Sequence, residues 1–265
     1  MSALPALRTI LLERQGRLLR LTLNRPDALN AFNLDLHDEL PQALAFARDD
    51  EGSDVIVLTG AGRAFSAGGD LAHIERNAAS PHLFDHEVEM AKVIVFTLLE
   101  IDKPVVCRLN GHAIGLGATV ALFCDVIYAA ETAKIGDPHV RLGLVAGDGG
   151  AVIWPQLIGL VRAKEFLLTG DPVAAPRAAE IGLINRCVPL DELDAAVDGL
   201  CAKLLGGAQQ AIRWTKRLTN LELRRVTELV LPVGLDYEIR SVRTADHREG
   251  VAALKDKRKP RFGGG

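Results

Sequence analysis

The sequence predicts an α/β fold in one domain with a helical C-terminal extension, and three observations predict it. Short apolar runs at residues 55–58, 105–109 and 126–129 alternate with stretches whose apolar residues recur at helical spacing, the pattern of crossover connections in a largely parallel sheet. Glycine-containing loops follow the first two of those runs directly, and beyond Gly150 most of the patterning is helical.

From the start of the chain, residues 8–13 and 17–23 read as a hairpin about the turn Gln15-Gly16. Asn24-Arg25-Pro26-Asp27 ends the second strand, because proline brings no N–H to a ladder. Leu36, Leu40, Leu44 and Ala47 mark a helix over 34–48. Residues 55–58 form a buried strand closed by Thr59-Gly60, 64–70 a loop, and 83–99 a second helix. The strand 105–109 is closed by Asn110-Gly111, and 115–123 passes from loop into a helix starting near Gly117; 126–129 is a third buried strand. Helices are expected at 163–168, 176–181, 190–205 and 209–223, with 184–188 extended. No Pro/Gly/Ser linker divides the chain, so residues 1–200 are expected to form the α/β core and 201–265 an extension covering the active site or a subunit contact.

Composition excludes several classes. With 265 residues, 48% of them hydrophobic, the chain can bury roughly three quarters of its unfolded surface without disulfides or a structural metal. A net charge of −3 gives no reason to expect a nucleic-acid partner. Cys107, Cys124, Cys187 and Cys201 lie too far apart for a zinc or redox motif and read as free thiols suited to a reducing cytosol. The first residues carry no signal-peptide pattern, and no run approaches the ~20 apolar residues of a membrane span; a cytoplasmic protein is expected. Lys255, Lys257, Arg258, Lys259 and Arg261 make one basic run, either a solvated tail or an attraction for an anionic ligand. No phosphate-binding G-x-x-x-x-G-K-[ST], dinucleotide G-x-G-x-x-G or nucleophile-elbow G-x-S-x-G is present. His82 and His86 lie four apart on a predicted solvated helix face, and no metal site is expected.

Two segments carry chemistry: Ala64-Phe65-Ser66-Ala67-Gly68-Gly69-Asp70-Leu71, and Asn110-Gly111-His112-Ala113-Ile114-Gly115-Leu116-Gly117-Ala118-Thr119. Glycines let the backbone approach a ligand closely. A helix beginning in the second segment leaves polarised N–H groups free. One N–H from each loop would make an oxyanion hole.

These segments resemble the crotonase superfamily, the enoyl-CoA hydratase/isomerase family. The likeness continues through Leu23-Asn24-Arg25-Pro26 with Ala28-Leu29-Asn30-Ala31, Val57-Leu58-Thr59-Gly60, Lys103-Pro104, Cys124-Asp125, Leu168-Thr169-Gly170, Ala179-Glu180-Ile181-Gly182-Leu183, and Lys257-Arg258-Lys259 with Phe262. It covers nearly the whole chain in order. The resemblance implies a crotonase-like spiral of ββα units assembled as a homotrimer or a dimer of trimers. It implies an acyl-CoA substrate, with coenzyme A entering as part of that substrate and no other cofactor. By position the oxyanion donors are the N–H groups of Ala67 and Leu116, the latter standing where glycine is usual. Coenzyme A is expected along Arg25, Ala28 and Leu29, its adenine near Ala67, Asp70 and Leu71, and its phosphates within reach of Lys259 and Phe262. The irregular stretch 72–90 is expected to form the pocket wall that sets acyl-chain choice.

The chain departs from the hydratase pattern at the acid/base positions. Thr119 stands where the first glutamate belongs and His139 where the second belongs. A threonine hydroxyl is too weak an acid to exchange protons near neutrality. His139, with Asp148 fixing its tautomer, has the chemistry of a catalytic dyad, a pairing that resembles the minority of crotonases cleaving carbon–carbon bonds of β-diketones. Structural roles compete with this: His139 as a loop cap, Asp148 as a helix N-cap, and His112 beside the second loop. Three functions stay open: a hydratase or isomerase with an altered acid/base set, a C–C hydrolase of a β-dicarbonyl using His139 and Asp148, and an acyl-CoA-binding member with little turnover.

Overall fold

A computed structural model describes residues 3–264. Strands β1 (Ile10–Gln15) and β2 (Leu18–Leu23) pair antiparallel as the expected hairpin. Asn33 caps helix α1 (Leu34–Asp49) by accepting the Leu36 N–H at 3.1 Å. The chain then repeats one pattern: a strand in a large sheet, a short strand in a small sheet, then a helix. The first turn is β3 (Val55–Gly60), β4 (Ala64–Ser66) and α2 (Leu71–Ala79), with α3 (Phe84–Glu100) added. The second is β5 (Val105–Leu109), β6 (His112–Ile114) and α4 (Leu116–Leu122); the third is β7 (Val126–Ala130), β8 (Lys134–Gly136) and α5 (Gly150–Ile158). Helix α6 (Leu160–Thr169), β9 (Val173–Ala174), α7 (Ala175–Glu180), β10 (Arg186–Val188), α8 (Leu193–Leu205), α9 (Gln209–Ser241) and α10 (Ala245–Lys255) complete the chain.

The six-stranded sheet runs β1-β2-β3-β5-β7-β10 and is parallel from β2 onward; the four-stranded sheet runs β4-β6-β8-β9. β3 is buried along its whole length, as a central parallel strand covered on both faces should be. Its alternate residues divide between two cores. Ile56 and Leu58 join the main core with Leu36, Leu40, Ile94 and Leu98, whereas Val55 and Val57 pack with Leu193, Val197 and Cys201 of α8. Helix α8 therefore covers the sheet, and the core–extension boundary expected at residue 200 falls inside it.

Several elements differ from expectation. β4 lies in a stretch read as a loop, and β6 and β8 in stretches to which the sequence assigns no element, since three-residue strands are too short to show a period. Residues 72–90 are mostly helical. Helix α9 runs far beyond 223, carrying Pro232 within it and burying Leu231, Gly234, Leu235 and Glu238; the charged run around Arg224 and Glu228 hides that stripe from sequence. All four cysteines are free thiols. Among the described residues no helix is long and apolar enough to cross a membrane.

Candidate active site

The three small-sheet strands β4, β6 and β8 are adjacent and parallel, so the loops leaving their C-terminal ends converge. β4 leads to Ala67-Gly68-Gly69, β6 to Gly115-Leu116, and β8 to Asp137-Pro138-His139. Two polar side chains hold the connection that leads into β4: Asn30 Nδ2 donates to Ala61 O at 2.8 Å and Ala64 O at 2.9 Å, and Asn110 Nδ2 donates to Gly62 O at 2.9 Å and Ala64 O at 3.1 Å. Gly68 (φ +88°) and Gly115 (φ +54°) take left-handed conformations, and a Cβ on Gly115 would stand 3.9 Å from Gly68 Cα and 3.7 Å from His139 Cε1. The loops thus touch each other and the imidazole. Around them lies a cavity of about 400 Å³ whose lining includes Gly69, Leu116, His139, Asp148 and Glu238.

The expected pair of amide donors needs correction at one position. The Ala67 N–H is donated to Leu29 O at 3.0 Å, so it is not free to receive an oxyanion. In the same loop Gly68 N–H goes to Ser66 Oγ at 3.3 Å and Asp70 N–H to Phe32 O at 2.9 Å. Gly69 N–H has no acceptor among the described residues. Neither does Leu116 N–H, which belongs to the first residue of α4 and so lacks an intrahelical partner. The two unspent amides facing this site are therefore those of Gly69 and Leu116.

His139 is at the centre of a buried ionisable cluster. Its Nδ1 is held by Asp137 in a short hydrogen bond, and its Nε2 stands 3.7 Å from Asp148 Oδ2 and 3.8 Å from Glu238 Oε1. Asp137, rather than the expected Asp148, fixes the imidazole. Asp148 is held in turn by Thr119, whose Oγ1 donates to Asp148 Oδ1 at 3.2 Å. Asp148 is not the N-cap of α5, which is Gly149, although its carboxylate takes a backbone hydrogen bond from Gly150, the first residue of that helix.

Burial by itself would lower the His139 pKa, yet Asp137, Asp148 and Glu238 together hold it well above its ordinary value. Burial raises Asp148; His139 opposes that shift and Asp137 adds to it. Burial also pushes Glu238 well above the usual carboxylate range, with Asp148 adding to the effect and His139 opposing it. The cluster thus offers an imidazolium beside carboxyl groups that bind protons more tightly than usual, the arrangement of a proton-transfer centre.

Two members of this cluster were not anticipated. Asp137 lies two residues before His139, where a short turn brings both side chains to one face. Glu238 arrives from α9, and its only signal is its place on the stripe Leu231, Gly234, Leu235, Glu238 at i, i+3, i+4 and i+7. The close crossing of Gly147 and Gly234 seats it there: a Cβ on Gly147 would lie 2.3 Å from Gly234 O.

The residues expected to hold coenzyme A lie outside this cluster. Arg25 Nη2 pairs with Asp70 Oδ2 at 3.0 Å, its Nη1 donates to Ala31 O, and Asp70 also caps α2 through Ala72 N–H at 3.2 Å. Ala28 sits in a short 3-10 turn and Leu29, at φ +53°, supplies the carbonyl that takes the Ala67 N–H. Leu71, Lys259 and Phe262 are exposed. His112 is structural, accepting the Lys134 N–H on Nδ1 at 3.1 Å. His86 pairs with Asp38 at 2.6 Å, while His82 lies in a separate 3-10 turn.

Comparison with known proteins now decides the family: the Enoyl-CoA hydratase/isomerase profile matches residues 13–265. The chain belongs to that family. It is 34% identical to a crotonyl-CoA hydratase of Syntrophomonas wolfei, over 97% of this chain and 98% of that protein. It is 35% identical to a 1,2-epoxyphenylacetyl-CoA isomerase of Escherichia coli, over 92% and 94%. A crystal structure of an enoyl-CoA hydratase/isomerase from Mycobacterium paratuberculosis superposes with a TM-score of 0.89 at 40% identity, covering 94% of this chain and 99% of that one. The fold is that of the enoyl-CoA hydratase/isomerase family, and the chain is an enzyme of this acyl-CoA-processing group.

Proposed function

We propose that this enoyl-CoA hydratase/isomerase-family enzyme relocates a proton within an acyl-CoA thioester through an enolate. The observation that carries the reading is the pair of unspent amides, Gly69 and Leu116, lining one cavity with His139. The thioester oxygen accepts from both N–H groups, which gain strength as it becomes negative. Asp148, positioned by Thr119, takes a proton from Cα. The His139 imidazolium, held by Asp137, or the neutral Glu238 carboxyl returns a proton to the conjugated system. Coenzyme A enters as part of the substrate, and Arg25, Ala28, Leu29, Asp70, Leu71, Lys259 and Phe262 belong to the surface proposed to carry it.

A second reading, hydrolysis of a β-dicarbonyl, is favoured by the approach of Asp148 to His139. It requires His139 to take a proton from water, and the surrounding carboxylates oppose that by holding the ring protonated. We also propose trimers or dimers of trimers, built on exposed apolar residues such as Leu160, Val161, Leu218 and Leu229; light scattering tests the stoichiometry.

The deciding experiment incubates the enzyme in D₂O with a 3-enoyl-CoA, crotonyl-CoA and a cyclic β-diketone, following deuterium uptake and products by mass spectrometry. Formation of the 2-enoyl thioester with deuterium at Cγ is expected, together with deuterium exchange at Cα of the recovered 3-enoyl substrate. Hydration of crotonyl-CoA as the dominant reaction replaces the isomerase assignment, and cleavage of the diketone alone supports the second reading. Thioester binding without exchange would leave a binding protein.

A further inference from the structure

The wall of the same cavity formed by α1, α2 and α3 is not apolar. Besides Phe32 and Phe84 it presents His37, His73, Asn77 and Glu87, all four buried. The proton positions follow from their partners. His37 Nδ1 lies 2.9 Å from Asn33 O; a carbonyl oxygen only accepts, so the ring proton is on Nδ1. Burial holds His37 below its ordinary value, which leaves the ring neutral with a lone pair on Nε2. His73 stacks on that ring with centroids 5.9 Å apart; its Nε2 lies 2.5 Å from Glu87 Oε1 and 3.3 Å from Arg76 Nη2, and the shorter contact, to an atom that only accepts, places the ring proton on Nε2 toward Glu87. Asn77 Nδ2 donates to the same oxygen at 2.7 Å, and Arg76 reaches it at 3.4 Å.

Counting donors against acceptors leaves an imbalance. Glu87 Oε1 takes three donors, while Glu87 Oε2 and His37 Nε2 have none among the described residues. This wall therefore presents acceptors to whatever fills it. A plain hydrocarbon would leave them unpaired, and an acyl chain ending in a carboxylate would set like charge against Glu87.

We infer that the acyl group taken by this chain carries a hydroxyl on its distal part, donated to His37 Nε2 beside Glu87; this rests on the acyl-CoA reading above. A divalent metal is the rival occupant, since ligand atoms of His37, His73 and Glu87 all lie within 4.8 Å of one another. The His73 Nε2 proton already bonded to Glu87 favours the hydroxyl, because a metal would have to break that pair first.

The test uses saturated, unreactive acyl-CoA thioesters graded in chain length, each as a plain, an ω-hydroxyl and an ω-carboxyl form, with dissociation constants measured for the wild type and His37→Phe. At one chain length the hydroxyl form is expected to bind roughly tenfold more tightly than the plain one, the worth of one well-made buried hydrogen bond. The carboxyl form is expected to bind most weakly. His37→Phe keeps a ring beside Phe32 and is expected to erase the hydroxyl preference while plain-chain affinity stays within about twofold. A wild type that binds plain or carboxyl chains at least as well as hydroxyl chains at every length overturns the inference, and needs no variant to fold. Stoichiometric binding of zinc alone, lost in His37→Phe, overturns it in favour of a metal site. If no thioester binds, the acyl-CoA reading fails as well, which separates the two failures.

Discussion

Replacing Leu116 by proline removes a single N–H from the proposed hole, and the local geometry lets proline in. Leu116 is the first residue of α4, the helical position where proline is tolerated best because that amide has no intrahelical acceptor. No hydrogen bond is lost within the protein, since the Leu116 N–H has no acceptor among the described residues. The preceding residue is Gly115 at φ 54° and ψ −129°, outside the α region that proline forbids to its predecessor. The side chain is a separate cost. Leu116 is buried, and truncating a buried leucine to alanine costs about 2–5 kcal/mol of stability. Leu116→Ala carries that cost and keeps the N–H, so comparing Leu116→Pro with Leu116→Ala isolates the donor. One oxyanion donor is worth about 2.7–4 kcal/mol, so Cα deuterium exchange in Leu116→Pro is expected to fall by about 10²–10³ relative to Leu116→Ala. Thioester affinity should change far less, because the amide acts on charge that develops during reaction. Exchange rates within about threefold of each other, in two variants that both fold, would refute the hole.

Asp137→Asn removes one of the carboxylates that keep His139 protonated, so the alkaline limb of the kcat/KM profile should move to lower pH; an unmoved limb would show that His139 does not carry the titration. The sign for stability follows from the same groups. His139 is raised in the folded state, so its contribution is complete below its unfolded value and is lost as pH rises through the folded one. Asp148 and Glu238 are raised too, so the native state holds more protons and loses stability as pH climbs from the unfolded carboxylate range. The urea midpoint is expected to fall as pH climbs above the unfolded carboxylate range, and to fall less in Glu238→Gln. Gly147→Ala places a methyl 2.3 Å from Gly234 O; overpacking of this kind costs about 1–3 kcal/mol. It should lower the melting temperature and displace Glu238, and unchanged melting and turnover would mean that α9 does not seat the cluster.

Sequence pattern carried the hairpin, α1, the three long buried strands and α3, because each runs long enough to show its period. It located both amide loops through their glycines and His139 through its position. What stayed hidden depends on contacts between segments distant in the chain. Glu238 joins the cluster only because Gly147 and Gly234 let α9 cross the loop after β8, a fact no local window contains. The polar wall was legible only as irregularity in residues 72–90, since its fourth member, His37, comes from α1.

The shift from Ala67 to Gly69 shows why a loop can be identified from sequence when its working atom cannot. In an uninterrupted strand, residues an odd number apart direct their amides to opposite sides. Ala67 and Asp70 are three apart, yet both N–H groups go to the 29–32 segment, reaching Leu29 O and Phe32 O. Gly68, at φ +88°, reverses the alternation between them. That reversal leaves the Gly69 amide without a partner in the segment that its neighbours bind. The same device recurs at Gly115, whose positive φ follows β6 and frees the amide of Leu116. Each donor therefore stands directly after a left-handed glycine, at the end of one of two adjacent parallel strands. Replacing Gly68 or Gly115 by alanine strains the backbone and redirects the next amide at once, so it should depress exchange more than it depresses thioester affinity. Equal losses in both would mean that these glycines merely shape a pocket.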